Sequence, residues 1–309
     1  MPQRAVDYEQ SLGELPWQGW LSGVSALVSA RGSLTRLGPR HGAVYVKSGP
    51  TLLVSFENHR AIQALSPHGY PLGWDVAHRF DWSHLGLISD GNTWFRDPSV
   101  FAHMDALVDE GVFDGFDRVL FYGAGPCGYA AAAFSVAAPG ATVLALQPQA
   151  TLDPGLAAWD RRFVGMRRTS FTDRYGYAPD MLDAARGAFI LFDPDQREDA
   201  MHAALCARPH VTLLRARGMG DTLQSDLSHM GCLAELLSAA AGDGLTPQRV
   251  GQLLRARRDH MPYLRRLLTR LNPGTHPRRV ELLCRAVLRR HTAPRFAHRL
   301  EQVRGAPAV

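Results

Sequence analysis

The residues best suited to chemistry lie in a glycine-rich turn near the middle of the chain, Gly123-Ala124-Gly125-Pro126-Cys127-Gly128. The turn follows a short apolar segment, Val119-Leu120-Phe121-Tyr122, and precedes an alanine-rich segment typical of a helix. A turn of this kind between a strand and a helix either holds a phosphate or presents a nucleophile. Each of these two functions requires further residues elsewhere in the chain.

The first interpretation is dinucleotide binding, because Gly123, Gly125 and Gly128 have the G-x-G-x-x-G spacing. Such glycines allow a pyrophosphate to approach the N-terminus of the following helix. The motif also needs an acidic residue about 20 positions later to bind the ribose, and the residue at the end of the next predicted strand is Gln147. Nucleotide binding through this turn is therefore an alternative, and the cofactor is unknown.

The second interpretation is a nucleophile elbow, in which a sharp G-x-S-x-G turn presents a serine. An acid and a histidine must follow in that order, and Asp193 (or Asp195) and His229 meet this requirement. The serine position is occupied by Gly125, however, which has no atom that can attack a carbonyl.

Cys127 is the one reactive side chain in the turn. A helix N-terminus would favour its thiolate, whereas a tightly packed turn would bury it as a small apolar residue. We favour burial. The candidate catalytic residues are then Cys127, Asp193 and His229.

A second group of candidates surrounds a strand predicted over residues 84–89. Individually these residues are expected to be partly buried in loops. Together they could line a pocket at the carboxyl ends of the strands, where sheets of this kind place ligands. The candidates for this pocket are Trp82, His84, Asp90 and Trp94.

The elements that must position these residues change in character along the chain. Apolar spacing predicts a first helix over Pro16–Ala30, and residues 43–47 and 51–56 predict an antiparallel hairpin around a Gly-Pro turn. Asp97 is expected to cap a helix that extends to about Glu110.

The second part of the chain alternates between strands and helices. Strands are predicted over residues 119–122, 142–146, 188–192 and 211–214, and helices over 129–136, 181–186 and 200–207. This alternation predicts a three-layer, doubly wound α/β domain with a mostly parallel sheet.

Composition restricts the class of protein. The 309 residues are 46% hydrophobic, which is enough for a large core. No C-x-x-C pair occurs among Cys127, Cys206, Cys232 and Cys284, so neither a metal site nor a disulfide framework is indicated. No signal peptide and no run of 18 apolar residues is present, so we expect a cytoplasmic protein without membrane insertion.

The charge is distributed unevenly. Residues 246–309 contain 15 arginines against three acidic residues, a net charge of +12, which leaves −7 for residues 1–245 out of the total of +5. The sequence therefore predicts an α/β domain over residues 1–245 and a basic helical extension over 246–309. Aromatic residues are sparse in the extension and no nucleic-acid motif accompanies it, which favours intramolecular docking or a protein partner over nucleic acid.

The turn and the segments after it resemble bacterial α/β-hydrolase-like proteins. The resemblance rests on Tyr122–Ala133, on Leu146–Pro154 with its Gln-Pro-Gln, and on the segment Trp159-Asp160-Arg161-Arg162-Phe163. In that family the elbow reads Gly-Ala-Ser-Met-Gly-Gly-Tyr, so the elbow of this chain is degenerate. The resemblance implies an α/β-hydrolase-like fold.

Residues 118–168 and 171–181 are more similar still to bacterial proteins often labelled phosphoadenosine phosphosulfate reductase, and this similarity extends from the first helix to about Leu271. The label implies reduction of a sulfonucleotide. Reductases of that class resemble adenine-nucleotide α-hydrolases. Such a reductase has a Ser-Gly-Gly phosphate loop near its first strand and a catalytic cysteine in a Glu-Cys-Gly-x-His motif near its end. Neither motif occurs in this chain.

These observations lead to one prediction and two alternatives. We predict an α/β-hydrolase-like pseudoenzyme that lacks the serine nucleophile and acts in binding or scaffolding, with a small-molecule or protein ligand. The first alternative is an enzyme, either dependent on Cys127 or the reductase of the family label. The second is a nucleotide-binding protein that uses the glycine-rich turn.

Overall fold

A computed structural model describes residues 11–305 of the chain. The described residues form one eight-stranded sheet in the order β1-β2-β4-β3-β5-β6-β7-β8. Strand β2 pairs antiparallel with β1 and β4, and all other neighbours are parallel. The predicted mostly parallel sheet is confirmed. Its strands are β1 Gly32–Leu37, β2 His41–Val46, β3 Thr51–Asn58, β4 Ser83–Ser89, β5 Arg118–Ala124, β6 Thr142–Leu146, β7 Gly187–Phe192 and β8 Val211–Arg215.

Helices connect the strands and continue beyond them. The N-cap Asp97 accepts a hydrogen bond from the N–H of Ser99, as its sequence position predicts. Several helices begin with proline, which suits a first turn where the N–H has no intrahelical partner. The helices are α1 Trp17–Val28, α2 His59–Leu65, α3 Leu72–Phe80, α4 Pro98–Asp109, α5 Pro126–Phe134, α6 Pro154–Ala157, α7 Ala178–Met181, α8 Arg197–Leu205, α9 Leu223–His229, α10 Leu233–Ala241, α11 Pro247–Leu253, α12 Met261–Arg270, α13 Pro277–Leu288 and α14 Pro294–Gly305.

The sheet is covered on both faces, so the domain has three layers. On one face, alternate residues of the central strands, such as Val54 and Phe121, pack against the alanine-rich helix α5. On the other face, Trp20 and Val24 of α1 pack with Val44 of β2. Burial on both faces explains why the central parallel strands are continuously apolar.

The predicted hairpin of residues 43–47 and 51–56 is wrong. Strands β2 and β3 do not pair, because β4 lies between them in the sheet. The predicted hairpin depended on a turn signal and on two neighbouring apolar segments. Strand β3 is instead paired on both sides by parallel strands, and its apolar sequence suits this central position. Strand β1, whose exposed polar residues give it little apolar character, was not among the predictions.

The described chain divides into two compact units, one ending at Val250 and the other beginning at Gly251. The first contains the sheet. The second consists of short helices, including α12, α13 and α14, around a core of its own that includes Leu268, Cys284 and Phe296. The boundary predicted at residues 245/246 lies just before α11. None of the helices within residues 11–305 is long and apolar enough to cross a membrane.

Candidate functional site

The turn between β5 and α5 has the backbone of a nucleophile elbow. Gly125 has φ 56° and ψ −122°, a region that residues with side chains rarely adopt. This conformation turns the strand sharply into the helix, as in G-x-S-x-G elbows. A Cβ at Gly123 would lie 2.1 Å from the carbonyl oxygen of Cys127, so the packing of strand against helix itself requires a glycine there.

The turn lacks two chemical groups that a G-x-S-x-G elbow supplies. A Cβ at Gly125 would meet no atom within 4 Å, so the turn has room for a nucleophile but supplies none. The next residue is Pro126, which is the first residue of α5. In α/β-hydrolases the backbone N–H at this position is half of the oxyanion hole, and proline has no N–H. The predictions from sequence did not include this second loss, although a proline directly after Gly125 is a visible signal.

Cys127 is buried in the core, with 7% of its surface exposed. Burial, with the nearby Glu57, raises the pKa of its thiol well above the usual range. A helix N-terminus alone would lower the pKa of this thiol. The raised pKa is the opposite effect and disfavours the thiolate. The arrangement agrees with the buried small-residue interpretation. All four cysteines are free and buried, and no group of three metal-binding side chains occurs within residues 11–305.

Asp193, the candidate acid, is a buried residue that holds a loop. Its carboxylate accepts hydrogen bonds from the N–H of Asp195 at 3.0 Å and from the N–H of Gly220 at 2.7 Å. Gly220 lies in the loop after β8, where an α/β-hydrolase would carry its histidine. Asp193 therefore binds the backbone of that loop.

His229, the candidate base, lies at the exposed end of α9. Its Nδ1 is 3.3 Å from Oγ of Ser225, one turn earlier in the same helix. The described contacts of His229 therefore do not join it to Asp193 or to the elbow. The structure does not bring the three candidates Cys127, Asp193 and His229 together as a triad.

The four residues predicted to line a pocket have different surroundings. Trp82 stacks on Phe80, and the backbone oxygen of Asp90 accepts hydrogen bonds from Arg40. The indole N–H of Trp94 donates to the side chain of Gln149 at 3.0 Å. His84 is buried in the sheet. None of these four residues lines the cavity beside the elbow.

A cavity of about 260 Å³ opens directly beside the elbow, and we call it the elbow cavity. It lies at the carboxyl ends of β3 and β5, and residues of α2, α3 and α9 also line it. The general rule that ligands bind at the carboxyl ends of parallel strands points to this place. No local motif marked these residues, because they come from separate segments. The lining consists of Phe56, Glu57, Asn58, Ala61, Ile62, Leu65, Ser66, Pro67, Tyr70, Leu72, Asp75, Asn92, Ala124, Pro126, Cys127, Gln224 and Ser228.

Glu57 is the buried acidic residue of the elbow cavity. Its carboxylate accepts hydrogen bonds from the N–H of Leu72 at 2.7 Å and of Gly73 at 2.8 Å, at the start of α3. The hydroxyl of Ser55 donates a third at 2.8 Å. Burial raises the pKa of Glu57, and the charge of Asp75 raises it further, whereas the hydrogen bonds oppose this rise.

A buried chain of hydrogen bonds runs from His84 through Ser55 to Glu57. In a catalytic triad the histidine lies in the middle, whereas the serine does so here. Nε2 of His84 lies 2.8 Å from the hydroxyl of Ser55. Burial lowers the pKa of His84 to about 3, so the ring is neutral. Because the hydroxyl donates to Glu57, the imidazole must donate to the hydroxyl. Ser55 is fully buried, so this serine is not positioned to attack a substrate.

Gln147 occupies the place at which a dinucleotide-binding protein has its acid, and its side chain is fully engaged. The amide nitrogen donates to Asp199 at 2.7 Å and to the carbonyl oxygen of Gly220 at 2.9 Å. The amide oxygen accepts the N–H of Leu223 at 3.3 Å. Gln147 therefore links β6 to the segments after β7 and β8, and no donor or acceptor of its amide is directed at a ligand.

The segment after Gln147 is held by a buried ion-pair network. Arg162 lies 2.8 Å from Asp160 and 2.6 Å from Asp199, and both carboxylates are buried. Burial alone would raise the pKa of Asp160, but hydrogen bonds from Arg162 and His202 outweigh it and lower that pKa. Asp160 and Arg162, two of the residues that carry the resemblance, thus join this segment to Asp199 and His202.

No family model matches the chain, and no curated protein matches it. Among solved structures, the acylaminoacyl peptidase of Pyrococcus horikoshii is 8% identical, with a TM-score of 0.46, over 71% of this chain and 43% of that one. The match thus spans less than half of the peptidase.

EstE1, a carboxylesterase cloned from a metagenomic library, is 16% identical, with a TM-score of 0.44, over 78% of this chain and 100% of that one. Est1E from Butyrivibrio proteoclasticus is 12% identical, with a TM-score of 0.40, over 67% and 98% of the two chains. The chain's own eight-stranded sheet, its two helical layers and its sharp turn after β5 make the fold α/β-hydrolase-like.

Proposed function

We propose that this protein is a non-catalytic binding protein with an α/β-hydrolase-like fold, and that its ligand occupies the elbow cavity. The observation that carries the proposal is the pair Gly125 and Pro126. The backbone of the elbow is retained, but the nucleophile and the oxyanion-binding N–H are both missing. A binding function requires the cavity but neither of these groups.

The positions of the candidate acid and base also favour a non-catalytic function. Serine hydrolysis needs a nucleophile, a base and an acid in mutual contact. Asp193 binds backbone N–H groups and His229 contacts its own helix. Replacing Gly125 by serine therefore supplies one of several missing parts.

The alternatives have less support. An enzyme that depends on Cys127, or a reductase with a catalytic cysteine, needs an accessible thiol of low pKa, whereas burial raises the pKa of Cys127. A nucleotide at the turn would need helix N–H groups, and Pro126 removes the first of them. A sulfonucleotide is also strongly anionic, and the elbow cavity contains acidic rather than basic side chains.

The proposal is tested by ester hydrolysis. The substrate is p-nitrophenyl acetate, and the proteins are the wild type, Gly125→Ser, and Gly125→Ser combined with Pro126→Ala. We expect the wild type and Gly125→Ser to match a control protein without hydrolytic activity, because an oxyanion donor contributes about 10²–10³-fold to the rate and the base is missing. Gly140→Ser is the matched control for an added hydroxyl, since Gly140 also has a positive φ and open space around its Cβ position. Saturable hydrolysis by the wild type would contradict the proposal.

A further inference from the structure

The elbow cavity has an acidic lining without basic residues. Among the described residues that line it, Glu57 and Asp75 carry carboxyl groups, and none is lysine, arginine or histidine. Its other polar side chains include the amides of Asn58, Asn92 and Gln224. Oδ1 of Asn58 already accepts the N–H groups of Arg60 and Ala61. The cavity therefore presents two acidic side chains and no basic one to a ligand.

Within residues 11–305, the hydrogen bonds to the Glu57 carboxylate come from neutral donors. These donors are the hydroxyl of Ser55 and the N–H groups of Leu72 and Gly73. A buried carboxylate without a positive partner is costly, because its hydration is lost and no opposite charge replaces it. A cation in the cavity would supply that opposite charge, whereas an anion would be repelled.

The volume and the apolar lining of the elbow cavity determine how large the ligand is and what its uncharged part contacts. An apolar cavity of about 150 Å³ holds benzene, and the elbow cavity has about 260 Å³. It therefore has room for roughly ten non-hydrogen atoms. Ile62 and Leu65 provide aliphatic contacts, and the rings of Phe56 and Tyr70 provide aromatic surface that also suits a cation.

We infer that the elbow cavity binds a small organic ammonium ion, with its charged nitrogen at Glu57 and Asp75 and its hydrocarbon part against Ile62 and Leu65. This inference rests on the proposed function, because it takes the elbow cavity as the binding site.

The test uses three probes of similar shape and different charge on the full-length protein. Isothermal titration calorimetry compares 2-phenylethylamine, 2-phenylethanol and phenylacetate. We expect the amine to bind about tenfold more tightly than the alcohol, as one charge-assisted hydrogen bond allows, and phenylacetate to bind most weakly. The inference is overturned if the amine does not bind, or if the alcohol or phenylacetate binds as tightly.

Variants locate the binding to the cavity. Asp75→Asn should weaken amine binding about fivefold or more, through loss of one nearby charge, and leave the alcohol unchanged. Asp109→Asn removes a charge from the distant helix α4 and should leave both probes unchanged. If the two variants weaken amine binding equally, the effect is one of net charge and the inference fails.

A second pair of variants tests the cavity by its volume. Ala61→Trp in α2 fills the cavity and should abolish binding of the amine. Ala64→Trp, at an exposed position of the same helix, should preserve it. Equal binding by both variants would place the amine elsewhere.

The two proposals fail separately. If the wild type binds the amine and also hydrolyses esters, the non-catalytic function is wrong and the ammonium site stands. If it hydrolyses nothing and does not bind the amine, the ammonium site is wrong while a non-catalytic function survives.

Discussion

At the scale of single residues, Gly125 and Pro126 stabilise the elbow but supply neither a nucleophile nor a backbone N–H at Pro126. A residue with a side chain at φ 56° and ψ −122° carries backbone strain of about 1–3 kcal/mol, which glycine avoids. Proline suits the first position of α5, where its ring restricts φ to a helical value. Both residues therefore favour the folded turn, while neither supplies a group for catalysis.

The glycines of the elbow should differ in their tolerance of a side chain. Gly125→Ala should lower the free energy of unfolding by about 1–3 kcal/mol, because strain is its main cost and the space is open. Gly123→Ala should be more damaging, because its Cβ would meet the Cys127 carbonyl oxygen at 2.1 Å. Urea unfolding measures both. Equal destabilisation by the two variants would contradict this account of the turn.

The thiol of Cys127 should be unreactive in the folded protein. It lines the elbow cavity, but only 7% of its surface is exposed and its pKa is raised, so few thiolates exist to react. We expect iodoacetamide to modify Cys127 only after unfolding, with mass spectrometry locating the modified residue. The denatured protein is the control for intrinsic reactivity. Rapid modification of Cys127 under native conditions would instead support a Cys127-dependent enzyme.

At the scale of elements, polar side chains join the carboxyl ends of β6 and β7 to the loop after β8. Gln147 and Asp193 both bind Gly220 in that loop, one at its carbonyl oxygen and one at its N–H. Arg162 joins the segment after β6 to Asp199 of α8. In a hydrolase this region carries the acid and the histidine. In this chain, the described contacts stabilise the loop itself.

Asp193 should matter for stability rather than for turnover. Asp193→Ala leaves the buried N–H of Gly220 without its acceptor and should cost about 1–3 kcal/mol of unfolding free energy. Asp195→Ala is the matched control, because Asp195 is more exposed and its own N–H is retained; we expect a change of less than about 0.5 kcal/mol. Denaturant midpoints compare the two. Equal stability of both variants would refute the structural role.

At the scale of the whole molecule, buried histidines couple folding to pH. Burial lowers the pKa of His84 to about 3 and that of His41 to about 4, from an ordinary value of 6.5. Below pH 6.5 the unfolded chain therefore binds protons that the folded chain does not. Stability is fully present above pH 6.5 and is lost as pH falls towards 4, at up to about 1.4 kcal/mol per pH unit for each histidine.

This coupling predicts a steep loss of stability in mild acid. Urea midpoints measured at pH 7, 6 and 5 should fall, and the fall should be smaller in His84→Gln, which removes one titrating group. His229→Gln, at an exposed position, should retain the wild-type dependence. An unchanged slope in His84→Gln would show that His84 does not contribute.

The sequence by itself determined four of the parallel strands, one helix cap and the absence of a serine in the turn. Apolar periodicity located strands β5 to β8, because burial on both faces of a parallel sheet leaves a continuous apolar run. Local hydrogen bonding made Asp97 recognisable as a helix cap. The missing serine was evident at Gly125, and so was a sharp turn, because such a turn depends on residues that are neighbours in the chain.

Only the tertiary structure decided how those elements associate. Strand β4 separates β2 from β3, and no local signal distinguishes that arrangement from a hairpin. The elbow cavity combines Glu57 with Asp75 and with Gln224, which is more than 140 residues away in the chain. Burial of Cys127 and the outward position of His229 likewise depend on what packs around them. Turns and periodicity are local properties, whereas strand order, cavities and pKa shifts arise from contacts between segments that are distant in sequence.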